Sequence, residues 1–215
     1  MDLEKVYGNG FTSPIDNFNV RLNRARGDYD IPHAFNSSFI YTLPIGKGRR
    51  FLADAPRWVD SMAGGWDVGL LTMWQSGRVL TYLSGRPTGP ATNSSYVNYT
   101  GDRNVGRVMR KGDGVYWLTP EEIGRFSYPA SGEIGTSGRN AFRGPRYFNL
   151  DMSLVKKFRI TERYGISFRA EAYNLFNNAN FDAPNTNLST LATFGKIYNT
   201  VGNARILQMA LRCDF

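Results

Sequence analysis

The chain ends on an alternation that restricts how it can fold. In "RILQMALRCDF", from Arg205 to Phe215, Leu207, Met209, Leu211, Cys213 and Phe215 fall on one side of an extended backbone. Ile206, Gln208, Ala210, Arg212 and Asp214 fall on the other. Successive side chains of a strand point to opposite faces, so this segment presents one almost purely apolar face that must be covered by a protein core or by lipid. Soluble domains commonly end in a few polar residues that fray into water. Here the terminus is held.

The same pattern occurs four more times. "HAFNSSFIYTLP" (His33 to Pro44) places Phe35, Ser37, Phe39, Tyr41 and Leu43 against Ala34, Asn36, Ser38, Ile40 and Thr42, and "GWDVGLLTMWQSG" (Gly65 to Gly77) sets Trp66, Val68, Leu70, Thr72 and Trp74 against Asp67, Gly69, Leu71, Met73 and Gln75. "RYFNLDMSLVKKF" (Arg146 to Phe158) sets Phe148, Leu150, Met152, Leu154 and Phe158 against Asn149, Asp151, Ser153, Val155 and Lys157. "YGISFRAEAYNLF" (Tyr164 to Phe176) sets Ile166, Phe168, Ala170 and Ala172 against Ser167, Arg169 and Glu171. Strands of soluble proteins usually run about five or six residues, and these run about twice that. At about 3.3 Å per residue and a barrel-like tilt, the span from Phe148 to Phe158 rises roughly 25 Å, the height of the apolar band of a membrane barrel. Trp66, Trp74, Phe148, Phe158 and Tyr41 occupy the positions of an aromatic girdle. The fold class expected is all-β: an antiparallel up-and-down meander of about five long strands, an incomplete piece of a transmembrane β-barrel. A polar second face reconciles a membrane location with a mean hydropathy of -0.39.

A bacterial barrel ends in the periplasm and carries its longer loops outside. Counting back from Phe215, residues 1–32, 78–145 and 177–204 are expected as extracellular loops, and 45–64 and 159–163 as periplasmic turns. The 45–64 connection, with Lys47, Arg49 and Arg50, is long for a periplasmic turn. Asp151, Arg169 and Glu171 share the polar parity, which makes them lumen-facing charges, with Asp151 expected opposite or diagonal to Arg169. Lys156 has lipid-facing parity and is expected to snorkel toward the periplasmic edge.

Other classes find little support. The net charge of +8 raises nucleic acid as a partner, but its basic residues are scattered through loop-like stretches with no recognition motif, so no nucleic-acid binding is expected. The single cysteine, Cys213, excludes an intramolecular disulfide. No apolar run reaches the length of a membrane helix, and "MDLEKVYGNG" lacks the character of a signal peptide. His33, the only histidine, reads as a loop-to-strand boundary residue. Glu121 and Glu122 read as the first turn of a helix capped by Thr119, with Glu122 completing a capping box. "GTSGRNAFRGP" lacks the ending of a phosphate loop and reads as an extracellular hinge. The triplets at Asn36, Asn93 and Asn98 fit glycosylation acceptors, but two lie in a loop where such triplets arise by chance, and a bacterial source would leave them idle. No catalytic residue, cofactor or metal is expected, and no enzyme activity.

The blocks "DYDIPHAFNSSFIYTLPIGKGRRF", "GGWDVGLLTMWQSG", "FNLDMSLVKKFRITERYGISFRAEAYNLFNNANF" and "FGKIYNTVGNARILQMALRCDF", in this order, resemble the C-terminal end of TonB-dependent outer-membrane receptors of the Oar-like type. The resemblance covers most of the chain from about Asp28 onward, apart from the interior of the Arg78 to Pro145 loop. It implies a Gram-negative outer-membrane location, a barrel of about 22 strands, and a plug domain and TonB-contacting region N-terminal to this segment. The chain would then be a fragment that does not function alone, and its partners would be membrane lipid, the remaining barrel and plug, TonB and the outer-membrane assembly machinery. Phe215 with Leu211, Met209 and Leu207 resembles the signal that this machinery reads. Five strands alone cannot close, and open edges in hydrocarbon leave backbone groups unpaired. A soluble β-rich module binding a glycan or protein through the aromatics of "NSSYVNYTGDRNVG" and "GVYWLTPEE" is the alternative, and an inert remnant that never inserts is a third reading.

Overall fold

The computed structural model describes residues 16, 18–89, 94–159, 161 and 163–215. Asn93 and most of the 1–32 segment's first half lie outside the described residues. The chain divides into two compact units: one from 1–33, 75–147 and 180–201, the other from 34–74, 148–179 and 202–215.

The second unit is built on a five-stranded sheet. Its strands are β1 (Ala34–Thr42), β2 (Trp66–Gln75), β3 (Tyr147–Arg159), β4 (Gly165–Tyr173) and β5 (Ile206–Asp214), hydrogen-bonded in that order. All five strands expected from period-two patterning are present, and the sheet is an antiparallel meander with β1 and β5 at its edges. The register of β4 is explicit on both sides: Phe168 lies opposite Lys156 and Leu211, and Ala170 opposite Leu154 and Met209. The β1–β2 connection is more structured than a turn. It contains helix α1 (Arg57–Ala63), whose Asp60 Oδ1 accepts the main-chain N–H of Lys47 at 2.6 Å. Gly46, at φ 125°, lies where a Cβ would meet Asp60 and the Gly64 Cα, so that close approach requires glycine. This explains the length of 45–64.

The first unit has a hydrophobic core of its own. Tyr82, Phe142, Phe194, Leu118 and Val97 are fully buried. Tyr82 packs on Phe126, Phe142 and Phe194 with ring centroids 4.8, 4.9 and 5.4 Å apart, in the tilted and edge-to-face arrangements aromatic quadrupoles favour. Short pairings frame it: Val79–Leu80 with Phe142–Arg143, Asn98–Tyr99 with Phe126–Ser127, and Gly114–Tyr116 between Lys196–Ile197 and Met109–Lys111. Helix α2 (Pro120–Ile123) starts with the capping box read from sequence: Thr119 Oγ1 accepts the Glu122 N–H at 3.2 Å, and Glu122 Oε2 accepts the Thr119 N–H at 2.8 Å. The second Glu122 oxygen accepts the N–H of Gly106 at 3.1 Å.

This core corrects two expectations. Of the four aromatics on which a soluble binding module would depend, Tyr96 and Trp117 are buried and committed to packing, and Tyr99 and Tyr116 are half-buried. The glycine-rich 135–145 stretch is not a hinge. Asn140, at φ 51°, exchanges hydrogen bonds with Thr81 Oγ1 (2.9 and 2.8 Å), and its Nδ2 donates to Asp28 Oδ1 at 2.7 Å. Arg139 and Arg143 pair with Asp28 and Asp30.

Candidate functional site

The five alternating strands become functional through register, because pairing decides whether their apolar sides share one face. They do. Phe158, Lys156, Leu154 and Met152 of β3 lie opposite Ile166, Phe168, Ala170 and Ala172 of β4, and the last four lie opposite Cys213, Leu211, Met209 and Leu207 of β5. On the other side of β3, a Cβ on Gly69 would strike the Ser153 side chain, so Gly69 and Ser153 share the polar face. Trp66, Val68, Leu70 and Trp74 therefore share the face of Leu154. Thr42 Oγ1 donates to Asp67 Oδ1 at 2.6 Å, which leaves Tyr41, Phe39 and Phe35 on the apolar face.

None of Trp66, Leu150, Phe168 and Leu211 is buried. On β5, Leu207, Met209 and Leu211 are 66%, 75% and 66% exposed, and Phe215 is 98% exposed. The core cluster of the first unit contains no residue of this face. A contiguous apolar sheet face of this extent is not left to water in a soluble monomer.

Aromatics occupy both ends of the apolar face. Leu43 N–H bonds the Trp66 carbonyl at 2.8 Å, which brings Tyr41 and Trp66 to one end, where Phe158 also lies opposite Ile166. Trp74 closes β2 at the other end, where Phe148 opens β3 and stacks on Phe176 at 6.3 Å. The five residues read as girdle positions thus fall into two rows.

Lys156 departs from expectation. It does not snorkel outward; it is 3% exposed, with Nζ bonded to the Gly64 carbonyl. Trp66 and Phe168, from the strands flanking β3, meet edge to face at 6.1 Å, and the ammonium lies 5.3 Å from the Trp66 ring and 5.0 Å from the Phe158 ring. Aromatic faces and one carbonyl replace the water that a cation on an apolar face would lack.

On the polar face, Asp151, Arg169 and Glu171 are present together, but the expected pairing is not. Val155, not Asp151, is the partner of Arg169, because β3 continues to Arg159 and β4 begins at Gly165, which moves the hairpin register by two residues. Arg169 Nη1 instead lies 3.6 Å from Glu171 Oε1 on its own strand, an exposed pair of little energetic weight. Asp151 Oδ1 accepts the Asn174 N–H at 2.8 Å and the Asn149 side-chain amide at 2.9 Å. Asn174, at φ 51°, in turn donates from Nδ2 to the carbonyls of Asn178 and Asn203, both at 3.0 Å. Asn177 Oδ1 accepts the Arg205 N–H at 3.0 Å, and Asn178 Nδ2 reaches the Phe148 carbonyl at 3.2 Å. The asparagines of "NLFNNANF" thereby join the neighbouring ends of β3, β4 and β5. Sequence reasoning missed this network, although asparagine density at the end of an alternating strand is its signal.

An antiparallel meander with one apolar face, aromatics at both its ends, and a mixed face behind it that carries Asp151, Arg169 and Glu171 beside Leu71 and Met73 has the pattern of a membrane β-barrel wall. The outer membrane beta barrel domain family matches residues 1–208, and the chain belongs to that family. It is an outer-membrane protein and associates with membrane lipid. No curated protein and no solved structure matches the chain.

Proposed function

We propose that the chain forms the C-terminal strands of a TonB-dependent, Oar-like receptor that imports a solute using energy transduced from the inner membrane. In this reading it supplies wall and outer loops, with no catalysis of its own. The observation that carries the proposal is the shared register of β3, β4 and β5, which aligns one lipid-type face ending at Phe215. Phe215, Leu211, Met209 and Leu207 then serve as the signal for barrel assembly, and β5 offers its free edge to the first strand of a closed barrel. Asp151, Arg169 and Glu171 face the lumen and the plug, with 78–145 and 177–204 outside and 45–64 and 159–163 in the periplasm. The aligned apolar face favours this over a soluble glycan-binding module, as does the burial of Tyr96 and Trp117.

The DNA upstream of Met1 tests the proposal. An open frame encoding further alternating strands, preceded by a plug, is expected; a ribosome-binding site directly after a stop codon would overturn the receptor reading. Cell fractionation provides an independent check, since recovery of the native chain as a detergent-free soluble monomer would exclude membrane insertion.

A further inference from the structure

One concavity of the first unit holds more positive charge than the carboxylates among the described residues neutralise. An open cleft of ≈ 480 Å³ is lined by Arg24, Arg26, Arg103, Arg139, Arg143 and Ser137. Its volume is in the range of small-molecule sites. Two of the five guanidiniums are compensated, Arg139 by Asp28 at 2.7 Å and Arg143 by Asp30. Among the described residues, Arg24, Arg26 and Arg103 form no ion pair with a carboxylate. Like charges gathered in one concavity repel, and low-dielectric walls concentrate their field on whatever enters.

A second observation points the same way. Ser137 is among the residues around this cleft, it is 1% exposed, and its Oγ, sealed just beneath the surface, has no hydrogen-bond partner among the described residues. A buried hydroxyl without a partner is uncommon in native proteins and marks a place where a ligand, ion or water completes the bonding. Three unneutralised guanidiniums beside one unused hydroxyl donor are the complement of an oxyanion, which accepts bidentate bonds from arginine forks. Gly138 leaves the adjoining backbone open, with nothing within 4 Å of a Cβ position.

We propose that this cleft binds a small solute bearing carboxylate or phosphate oxyanions, with Arg24, Arg26 and Arg103 as charge partners and Ser137 Oγ as a neutral donor. The source of the oxyanion is either a free solute or the phosphorylated headgroup of an outer-leaflet lipid. Taking a free anion as the imported solute rests on the receptor reading above. Binding itself does not.

The full chain in detergent micelles, titrated calorimetrically with citrate, inorganic phosphate and glucose, provides the test. Citrate or phosphate binds, with affinity that falls as salt is raised, and glucose does not. In a parallel arm, micelles doped with lipid A are compared with micelles containing its dephosphorylated form; retention of lipid A alone identifies the lipid headgroup as the source. The double variant Arg24→Gln, Arg103→Gln weakens binding about a hundredfold, roughly tenfold for each lost charged hydrogen bond. Ser137→Ala weakens it several-fold, and the double Lys variant, which keeps the charge but loses the fork, recovers part of the loss. Near-ultraviolet circular dichroism of the buried Tyr82, Trp117 and Phe142 cluster reports folding of the first unit, and should the Gln variant misfold, the Lys variant and the salt dependence of the parent decide. Absence of binding by every anionic probe at millimolar concentration, or unchanged affinity in a folded Gln variant, overturns the proposal. Because no inner-membrane energy source is present, failure of energised uptake in cells would count against the receptor reading and leave the cleft's anion binding standing.

Discussion

Lys156 donates from Nζ to the main-chain carbonyl of Gly64, so the cation on the apolar face of β3 is fixed to the residue two positions before β2. The bond satisfies a buried ammonium and a buried carbonyl together, under the rings of Trp66 and Phe158. Lys156→Met keeps the stem but leaves the Gly64 carbonyl without its donor. It is expected to lower stability by about 1–3 kcal/mol, the cost of an unmade buried bond. Urea unfolding in lipid vesicles measures the change, and an unchanged midpoint would show the bond to be energetically idle.

Asp28 gives the first unit an acid-sensitive lock. Burial raises the pKa of its carboxyl, but hydrogen bonds from Asn140 and Arg139 and the Arg139 charge together outweigh burial and hold it below its ordinary value of 3.8. The folded value lies below the unfolded one. The stabilisation is therefore complete above the unfolded value and lost as pH falls through the lowered folded value. Asp28→Asn should flatten stability between about pH 5 and pH 2 relative to the parent. Asp28→Ala should cost about 3 kcal/mol, because it leaves Arg139, nearly buried, without its partner. Thermal melts across that pH range separate the two effects.

Tyr82 is completely buried, and its hydroxyl has no hydrogen-bond partner among the described residues. Burial pushes the phenol pKa upward, so the group stays neutral across the working range. Tyr82→Phe removes an unmatched polar atom and leaves the ring contacts with Phe126, Phe142 and Phe194 in place. A gain of about 1 kcal/mol is expected, whereas Tyr82→Leu should lose several of the edge-to-face contacts and destabilise. A loss of stability in Tyr82→Phe would reveal a partner for that hydroxyl.

The sheet was legible in the sequence and the folded loops were not, for a physical reason. Each long strand repeats its apolar residue every second position, so Trp66 to Trp74 or Leu207 to Cys213 declares a face without reference to anything else. The loop core has no such local signature. Tyr82, Phe126, Phe142 and Phe194 come from strands two residues long or from irregular chain, and they meet only because distant segments converge. Register was legible in parity but not in phase. The hairpin after β3 turns one residue later at its start than the "RITER" reading placed it, so Asp151 kept its face and lost its expected neighbour. The acidic "DYD" at 28–30 and the basic "RNAFR" at 139–143 are complementary, but nothing local says that they meet.

The parity of β5 can be read chemically. Cys213 lies on the apolar face opposite Ile166, and Arg212 lies on the polar face opposite Ser167. In intact outer membranes a water-soluble maleimide should leave Cys213 unlabelled and label it after denaturation. In a Cys213→Ser, Arg212→Cys variant the introduced thiol should react without denaturation. Rapid modification of Cys213 in the folded membrane form would place the wrong side of the sheet against lipid.

Asn174 combines two requirements that different substitutions separate. Its backbone sits at φ 51°, where a Cβ-bearing residue without a polar side chain is disfavoured by about 1–2 kcal/mol. Its side chain donates to the Asn178 and Asn203 carbonyls and accepts the Asn178 N–H at 2.9 Å. The side chain is buried, so each lost bond exposes a carbonyl or N–H that water does not readily reach. Asn174→Gly relieves the backbone but forfeits those bonds, each worth about 1 kcal/mol net. Asn174→Ala forfeits the bonds and adds backbone strain, so it should be about 1 kcal/mol or more below the Gly variant. Asn174→Asp keeps the acceptor and the tolerance for left-handed backbone, loses both donors, and sets a carboxylate near Asp151, whose Oδ1 accepts the Asn174 N–H. It should therefore unfold below the parent, with both donated bonds lost. The expected order of unfolding midpoints is Asn, then Gly, then Ala. Equal midpoints for Gly and Ala would mean that the left-handed turn joining the ends of β3, β4 and β5 is not maintained in the folded protein.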